Sequence, residues 1–198
     1  LIDSKQIYID NKNIRKGREI RFFKDIEFSR IFMAWQIPCS KDQKNILGYE
    51  IISSILTDGR NSILNRKLKE EKQIVESIYS GIQPGEFGSL FIIEASLERE
   101  NLKKVEDIIN NLLQELLTNS NLSNKIKKAL RIVKSNYIFN LETSSQLSQF
   151  YGNHLLWGRL NPQIELNKNF KYWKSTENLR KLIKFLLQDK FTFIAYKI

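Results

Sequence analysis

Apolar residues change their spacing several times along this chain, and each change marks an element. From Phe28 to Ile37, "FSRIFMAWQI", aromatic and branched residues alternate with others, which predicts a strand. Pro38 ends it, because proline has no N–H to give to a ladder. Ser40 or Asp42 is placed to cap a helix whose apolar residues are Ile46, Leu47, Ile51, Ile52, Ile55 and Leu56. Asp58-Gly59 stops that helix, glycine accepting the left-handed conformation. A shorter basic helix is expected from about Ser62 to Glu71. Two strands follow, Ile74 to Ile82 and Ser89 to Leu97, joined by the turn "QPGEFG". Leu102, Val105, Ile108, Ile109, Leu112, Leu113 and Leu116 then hold helical spacing, as do Ile126, Ala129, Leu130, Val133, Tyr137, Ile138 and Leu141. "SSQLSQFYGNHLLWG" predicts a further helix, Leu179 to Leu186 a last one, and "KFTFIAYKI" a closing strand. Hairpin pairing with the helices grouped together implies an α+β fold, one antiparallel β-sheet with α-helices packed on one face. Residues 1–24 mix Ile with charge and are expected to be a lead-in or inter-domain linker to a domain over residues 25–198.

At 198 residues the chain is long enough to bury a full core, and 41% hydrophobic residues with 11% aromatics argue against disorder. No run of 18 apolar residues exists, so no membrane partner is expected. The first residue is Leu and no charged-then-apolar leader follows, so the chain is read as a piece of a longer protein whose compartment is not legible. One Cys and one His are too few for a zinc or iron site, which needs three or four ligands. A Ser-His-Asp triad would have to use His154, and no Gly-x-Ser-x-Gly surrounds any serine. Self-contained catalysis is therefore not expected. The net charge of +10 would suit an anionic partner. Lysine is spread along the whole chain, however, and the densest basic run, Lys12 to Arg21, has no interleaved aromatics for base stacking, so nucleic acid is not expected.

The order of elements and the local words together resemble the C-terminal repeat of the pitrilysin/insulinase family of zinc metallopeptidases, the family of the mitochondrial processing peptidase. The words are "FSRIFMAWQIP", then "DQKNILGYEIISSILTDGRNSILNRKLKEEKQIVESIYSG", and later "LWG" with the terminal helix and strand. Within them stand the Pro that ends the strand, a Gly-x-x-Ser-x-Leu break and a Leu-x-x-Glu helix, here Pro38, Gly59, Ser62, Leu64, Leu68 and Glu71. The resemblance covers residues 28 to 198.

It implies a processing-peptidase-like domain without the zinc motif, forming part of a chamber that takes peptides or unfolded segments. The inverted motif His-x-x-Glu-His belongs to the family's N-terminal repeat, and this sequence does not contain it. No cofactor is therefore expected in this chain, and zinc is expected in the N-terminal half of the full-length protein or in a partner. The implied partners are that N-terminal zinc-binding domain, a homologous subunit in a homo- or heterodimer, and a peptide substrate. The family's non-zinc half carries an Arg and a Tyr, seven residues apart, that contact substrate. Here those positions are Lys69 and Glu76, so the pair is degenerate: lysine lacks the guanidinium fork, and a carboxylate repels an anionic intermediate. Two readings stay open. The domain belongs either to a zinc-carrying chain or to a catalytically inactive structural or assembly subunit. Elsewhere the expectations are modest. Glu70 and Glu71 read as a solvated, ion-paired helix face. His154 reads as a packed or surface residue, Cys39 as a small residue buried or half-buried, and Trp35, Trp157 and Trp173 as filling between sheet and helices.

Overall fold

The computed structural model describes residues 16–188 and 190–198. Its sheet has five strands, β1 (Gly17–Phe23), β2 (Ser29–Ile37), β3 (Ser77–Gln83), β4 (Ser89–Leu97) and β5 (Phe191–Lys197), in the order β1-β5-β2-β4-β3. Pairing is antiparallel from β5 through β2 and β4 to β3, while β1 runs parallel to β5 at the edge. The fold is thus α+β with a mostly antiparallel sheet, and the one parallel pair was not legible in the sequence. The expected lead-in divides accordingly: residues 1–15, with Lys12, lie outside the described residues, while Gly17–Phe23 forms part of the sheet.

Strict alternation sorts the two sheet faces. Ile31, Met33, Trp35 and Ile37 of β2 lie beside Phe91, Ile93, Ala95 and Leu97 of β4, all buried under the helices. The opposite face carries Phe32, Leu90, Ile92 and Phe193, half-buried. Phe32 and Phe193 are cross-strand neighbours with ring centroids 6.1 Å apart.

Six α-helices supply the other layer: α1 (Gln43–Thr57), α2 (Leu102–Thr118), α3 (Leu122–Phe139), α4 (Ser144–Leu156), α5 (Pro162–Tyr172) and α6 (Thr176–Leu186). Asp42, not Ser40, caps α1, its carboxylate accepting from the Asn45 amide at 3.0 Å. This helix is buried around most of its circumference, with α3, α5, α6 and β3 packed on it. The sequence hid α5, because Asn161-Pro162 opens an element with only Leu166 and Pro162 buried and no apolar stripe to announce it. Trp35 and Trp173 fill the interior as expected, but Trp157 does not: it ends α4, half-buried, ahead of a Gly158 turn.

Gly48 sits where α1 meets the Trp173 ring. A Cβ built on it would come within 2.5 Å of both the indole and Leu182. The indole is fixed in turn, its Nε1–H donating to the Lys44 carbonyl at 2.7 Å. In an open helix, Gly→Ala gains up to about 1 kcal/mol, whereas overpacking a rigid core site costs about 1–3 kcal/mol. The overpacking wins here, since the ring has nowhere to move. Gly48→Ala is expected to lower the urea midpoint at unchanged m-value, a net loss of about 1–2 kcal/mol. A midpoint at or above wild type would mean that the helix–indole contact is loose.

Candidate functional site

The segment between α1 and β3 folds as the Gly-x-x-Ser-x-Leu pattern requires. Gly59 turns the chain at φ +79°, a value glycine accepts without strain. Ser62 Oγ then donates to the Gly59 carbonyl at 2.7 Å, and Asn65 Nδ2 to the Thr57 carbonyl at 2.6 Å. Leu64 and Leu68 anchor the far side in the core. Asn65–Glu71 winds as a π-helix rather than an α-helix and starts later than the expected Ser62. Its end is wide: Ile74 N reaches back to Leu68 O, and Gln73 takes φ +51°.

That return brings Lys69 against the start of β3, where its Nζ donates to the Glu76 carbonyl at 2.8 Å. The two expected chamber positions therefore meet, through lysine and a backbone oxygen and not through two side chains. Both residues are exposed. Around them, Glu70 pairs with Arg60 at 2.7 Å and Glu71 with Lys67 at 3.0 Å, the solvated ion pairs foreseen for this face. Cys39 is half-buried.

A second constellation, which the sequence did not announce, lies at the end of α1 nearest α4. A cavity of about 350 Å³ opens there, walled by Glu50 from α1, Tyr137 from α3, Phe150 and His154 from α4, and Trp157 and Arg159 from the turn after it. Tyr137 Oη lies 3.0 and 2.9 Å from the two Glu50 carboxylate oxygens and donates to them. Arg159 Nη1 meets His154 Nδ1 at 3.2 Å, and Nη2 donates to the Ser40 carbonyl. His154 and Arg159 are each only 5% exposed. The His154 ring rests 4.3 Å from that of Phe150, and the guanidinium lies 5.2 Å over Trp157. An imidazole that accepts from arginine at Nδ1 is neutral and keeps its proton on Nε2.

Three chain-distant segments thus place a carboxylate, a phenol, an imidazole and a guanidinium in one cleft. Their spacing of 50, 137, 154 and 159 in the chain explains why no motif reading found them. The sole hint was a polar Glu50 amid the apolar residues of α1. Burial pushes Glu50 up from 4.5 to about 7, outweighing the Tyr137 hydrogen bond and the nearby Arg159, which both lower it. Burial, aided by Arg159, pushes His154 down from 6.5 to about 4. Burial also raises Tyr137, reinforced by the adjacent Glu50. The cleft can hold, donate to and discharge an anion, but it does not suit a metal. Among the described residues no group of three or more His, Cys, Asp or Glu side chains is placed to hold a metal ion. Nor, among those residues, is any helix long and apolar enough to cross a membrane.

A family model described as the peptidase M16 inactive domain matches residues 3–130. No curated protein matches the sequence. Among solved structures, a protease from Helicobacter pylori aligns with a TM-score of 0.75 at 18% identity, covering 90% of this chain and 44% of that one. A peptidase M16 inactive domain from Pseudomonas fluorescens aligns with a TM-score of 0.76 at 13% identity, over 91% of this chain and 43% of its own. A chain of complex III2 from Candida albicans aligns with a TM-score of 0.71 at 15% identity, over 91% and 46%. At such identities the likeness to these structures is one of fold, and this chain spans less than half the length of each.

The opposed shifts in the cleft give a signed pH dependence. Between pH 4.5 and about 7 the fold keeps Glu50 protonated while the unfolded chain releases the proton, so this group's contribution to stability falls as pH rises. Between about pH 4 and 6.5 the fold keeps His154 neutral while the unfolded chain binds a proton, so its contribution rises with pH. Either slope approaches about 1.4 kcal/mol per pH unit, and the two cancel where they overlap. Relative to wild type, Glu50→Gln is expected to gain stability from pH 4.5 to 7, and His154→Asn to lose it from pH 4 to 6.5. Urea midpoints across pH measure both, and a difference from wild type that ignores pH would refute the assignment.

Proposed function

The chain belongs to the peptidase M16 inactive-domain family, and from that membership we propose that it is the non-zinc, C-terminal half of a pitrilysin/insulinase-like zinc endopeptidase. The carrying observation is one of proportion. The family model covers more than half of this chain, whereas the chain fills only 44% of the Helicobacter pylori protease with the same fold. A second half of comparable size accounts for the remainder. That half, or a homologous subunit, holds the zinc, for which the described residues of this chain offer no ligand set.

In this reading the domain is one wall of the chamber that receives peptides or unfolded segments. The half-buried sheet face bearing Phe32, Leu90, Ile92 and Phe193, with the Arg30–Glu94 pair beside them, is a suitable mixed apolar and polar lining. Lys69 and Glu76 stand at chamber positions without supplying the Arg and Tyr chemistry of the family. Lys69 is engaged by a backbone carbonyl, which leaves a single compact charge rather than a fork. The +10 net charge favours acidic peptides over basic ones.

The likeness to a complex III2 chain favours a second reading, a catalytically inactive structural or assembly subunit of the same fold. Cleavage of a quenched fluorescent peptide by the full-length protein separates the two. Activity that a chelator removes and zinc restores, from the protein alone or mixed with a co-encoded homologue, is the expected result. The 198-residue chain by itself should release no fluorescence. Lys69→Ala in the active protein should change kcat/KM by less than about threefold, below 1 kcal/mol of transition-state stabilisation. No cleavage in any combination, with no zinc in the purified protein, would establish the structural reading instead.

A further inference from the structure

The cleft of Glu50, Tyr137, His154 and Arg159 holds more hydrogen-bonding capacity than the protein uses. A guanidinium brings five N–H donors. Nη1 and Nη2 of Arg159 are engaged by His154 and Ser40, yet the buried Nε has no partner. Ser40 Oγ, on a residue 1% exposed at the same wall, has none either. A buried polar group left unsatisfied costs about 1–3 kcal/mol, so two at one cavity wall are donor capacity that water or a ligand in the cleft would take up. Across the cavity, α4 turns the exposed amides of Gln149 and Asn153 toward the space, a turn apart on one helix face.

We infer that this cleft binds the C-terminal carboxylate of a short peptide. The planar carboxylate would accept from Arg159 Nε and the N–H that His154 and Ser40 leave over, with the Ser40 hydroxyl as a further donor. Behind it, each side-chain amide of Gln149 and Asn153 offers one acceptor and two donors, the complement of a peptide's own N–H and C=O groups. Phe150 and Trp157 give the terminal side chain an apolar seat. A volume of about 350 Å³ exceeds what a lone anion needs and lies at the small end of ligand pockets, roughly 300–1,000 Å³.

The surrounding charges set the conditions. Arg159 interacts with Glu50 from α1, Tyr137 from α3, Asp42 at the α1 cap and Glu165 from α5. His154 stays neutral near pH 7 and neither attracts nor repels the ligand. Glu50 is the group that changes: protonated below about pH 7 it leaves the Arg159 charge for the ligand, and ionised above it competes for that charge. Binding is therefore tighter at pH 6 than at pH 8.

The site does not depend on the zinc-peptidase reading, because occupancy is measured without cleavage. Calorimetric titration of the full-length protein at pH 6 would compare a tripeptide acid, the same tripeptide as its C-terminal amide, and acetate. The acid should bind at least about tenfold more tightly than the amide or acetate, and about threefold more tightly than the acid itself at pH 8. Arg159→Gln should abolish binding. Because removing a buried arginine also endangers the fold, Gln149→Glu, at an exposed position, is the companion variant. Its new carboxylate should weaken the tripeptide acid about tenfold while leaving the urea midpoint unchanged. Equal affinity for acid and amide, acetate binding as tightly as the peptide, no binding at all, or an indifferent Gln149→Glu would each overturn the inference.

Discussion

Burial of α1 on nearly every side is the constraint from which the rest of the domain follows. A helix enclosed by β3, α3, α5 and α6 sends few of its polar groups to water, and several of them find partners in the elements packed on it. Gln43 donates to the Pro162 carbonyl of α5, and the Lys44 carbonyl takes the Trp173 indole. Ser53 and Thr57 interlock with Ser80 of β3, Thr57 Oγ1 lying 2.8 Å from Ser80 Oγ and accepting the Ser80 amide at 3.1 Å. Glu50 takes the phenol of Tyr137. These bonds contribute less to net stability than the apolar burial around them. Their effect is on specificity: a helix buried among Ile and Leu alone has many near-equivalent rotations, and polar ties to α3, β3 and the two ends of α5 leave one.

The same enclosure explains why a cleft with shifted pKa values sits where it does. At the α4 side the packing round α1 is incomplete, and the cavity begins at Glu50. A carboxylate at that boundary is too enclosed to ionise at its ordinary value, yet it is close enough to Arg159 to be partly compensated. Breaking a buried charge group by removing one partner costs far more than the intact group contributes. Arg159, Glu50, His154 and Tyr137 are consequently one unit, and the His154 and Glu50 shifts of opposite sign keep its charge nearly constant across mildly acidic pH.

Much of the fold was legible because its signals are local. The β2 alternation, the stop at Pro38, the Gly59 turn with Ser62 and Leu64, and the stripe of α2 each depend on a few consecutive residues, and each stands in the structure. What escaped depends on neighbours far away in sequence. The parallel seat of β1 is set by β5, some 170 residues on. The π winding of Asn65–Glu71 answers the geometry needed to drop Leu68 into the core before the chain turns into β3, a requirement absent from the propensities of "NRKLKEE". The position of Trp157 at a cleft mouth follows from the Gly158 turn and the cation above its ring, whereas apolar spacing alone placed it inside. Of the site residues, Lys69 and Glu76 were reachable through a family pattern, and the structure brings them together in a way the pattern did not contain. Tyr137 was visible only as one of the α3 stripe, and Glu50 and Arg159 in no pattern, since only the packing of α1, α3 and the turn after α4 joins them.

The inventory of the chain and the geometry of the cleft lead to the same division of labour. A zinc site draws on imidazole and thiolate, and this sequence has one of each. Its one imidazole is already committed, its Nδ1 facing Arg159 and its ring against Phe150. Among the described residues no group of three or more His, Cys, Asp or Glu is placed to hold a metal ion, in keeping with the family's description as an inactive domain. The polar capacity of the domain itself is concentrated in a cleft suited to holding an anion rather than to activating water. Arg159, buried at the turn after α4 with its Nε unpartnered, is the centre of that capacity.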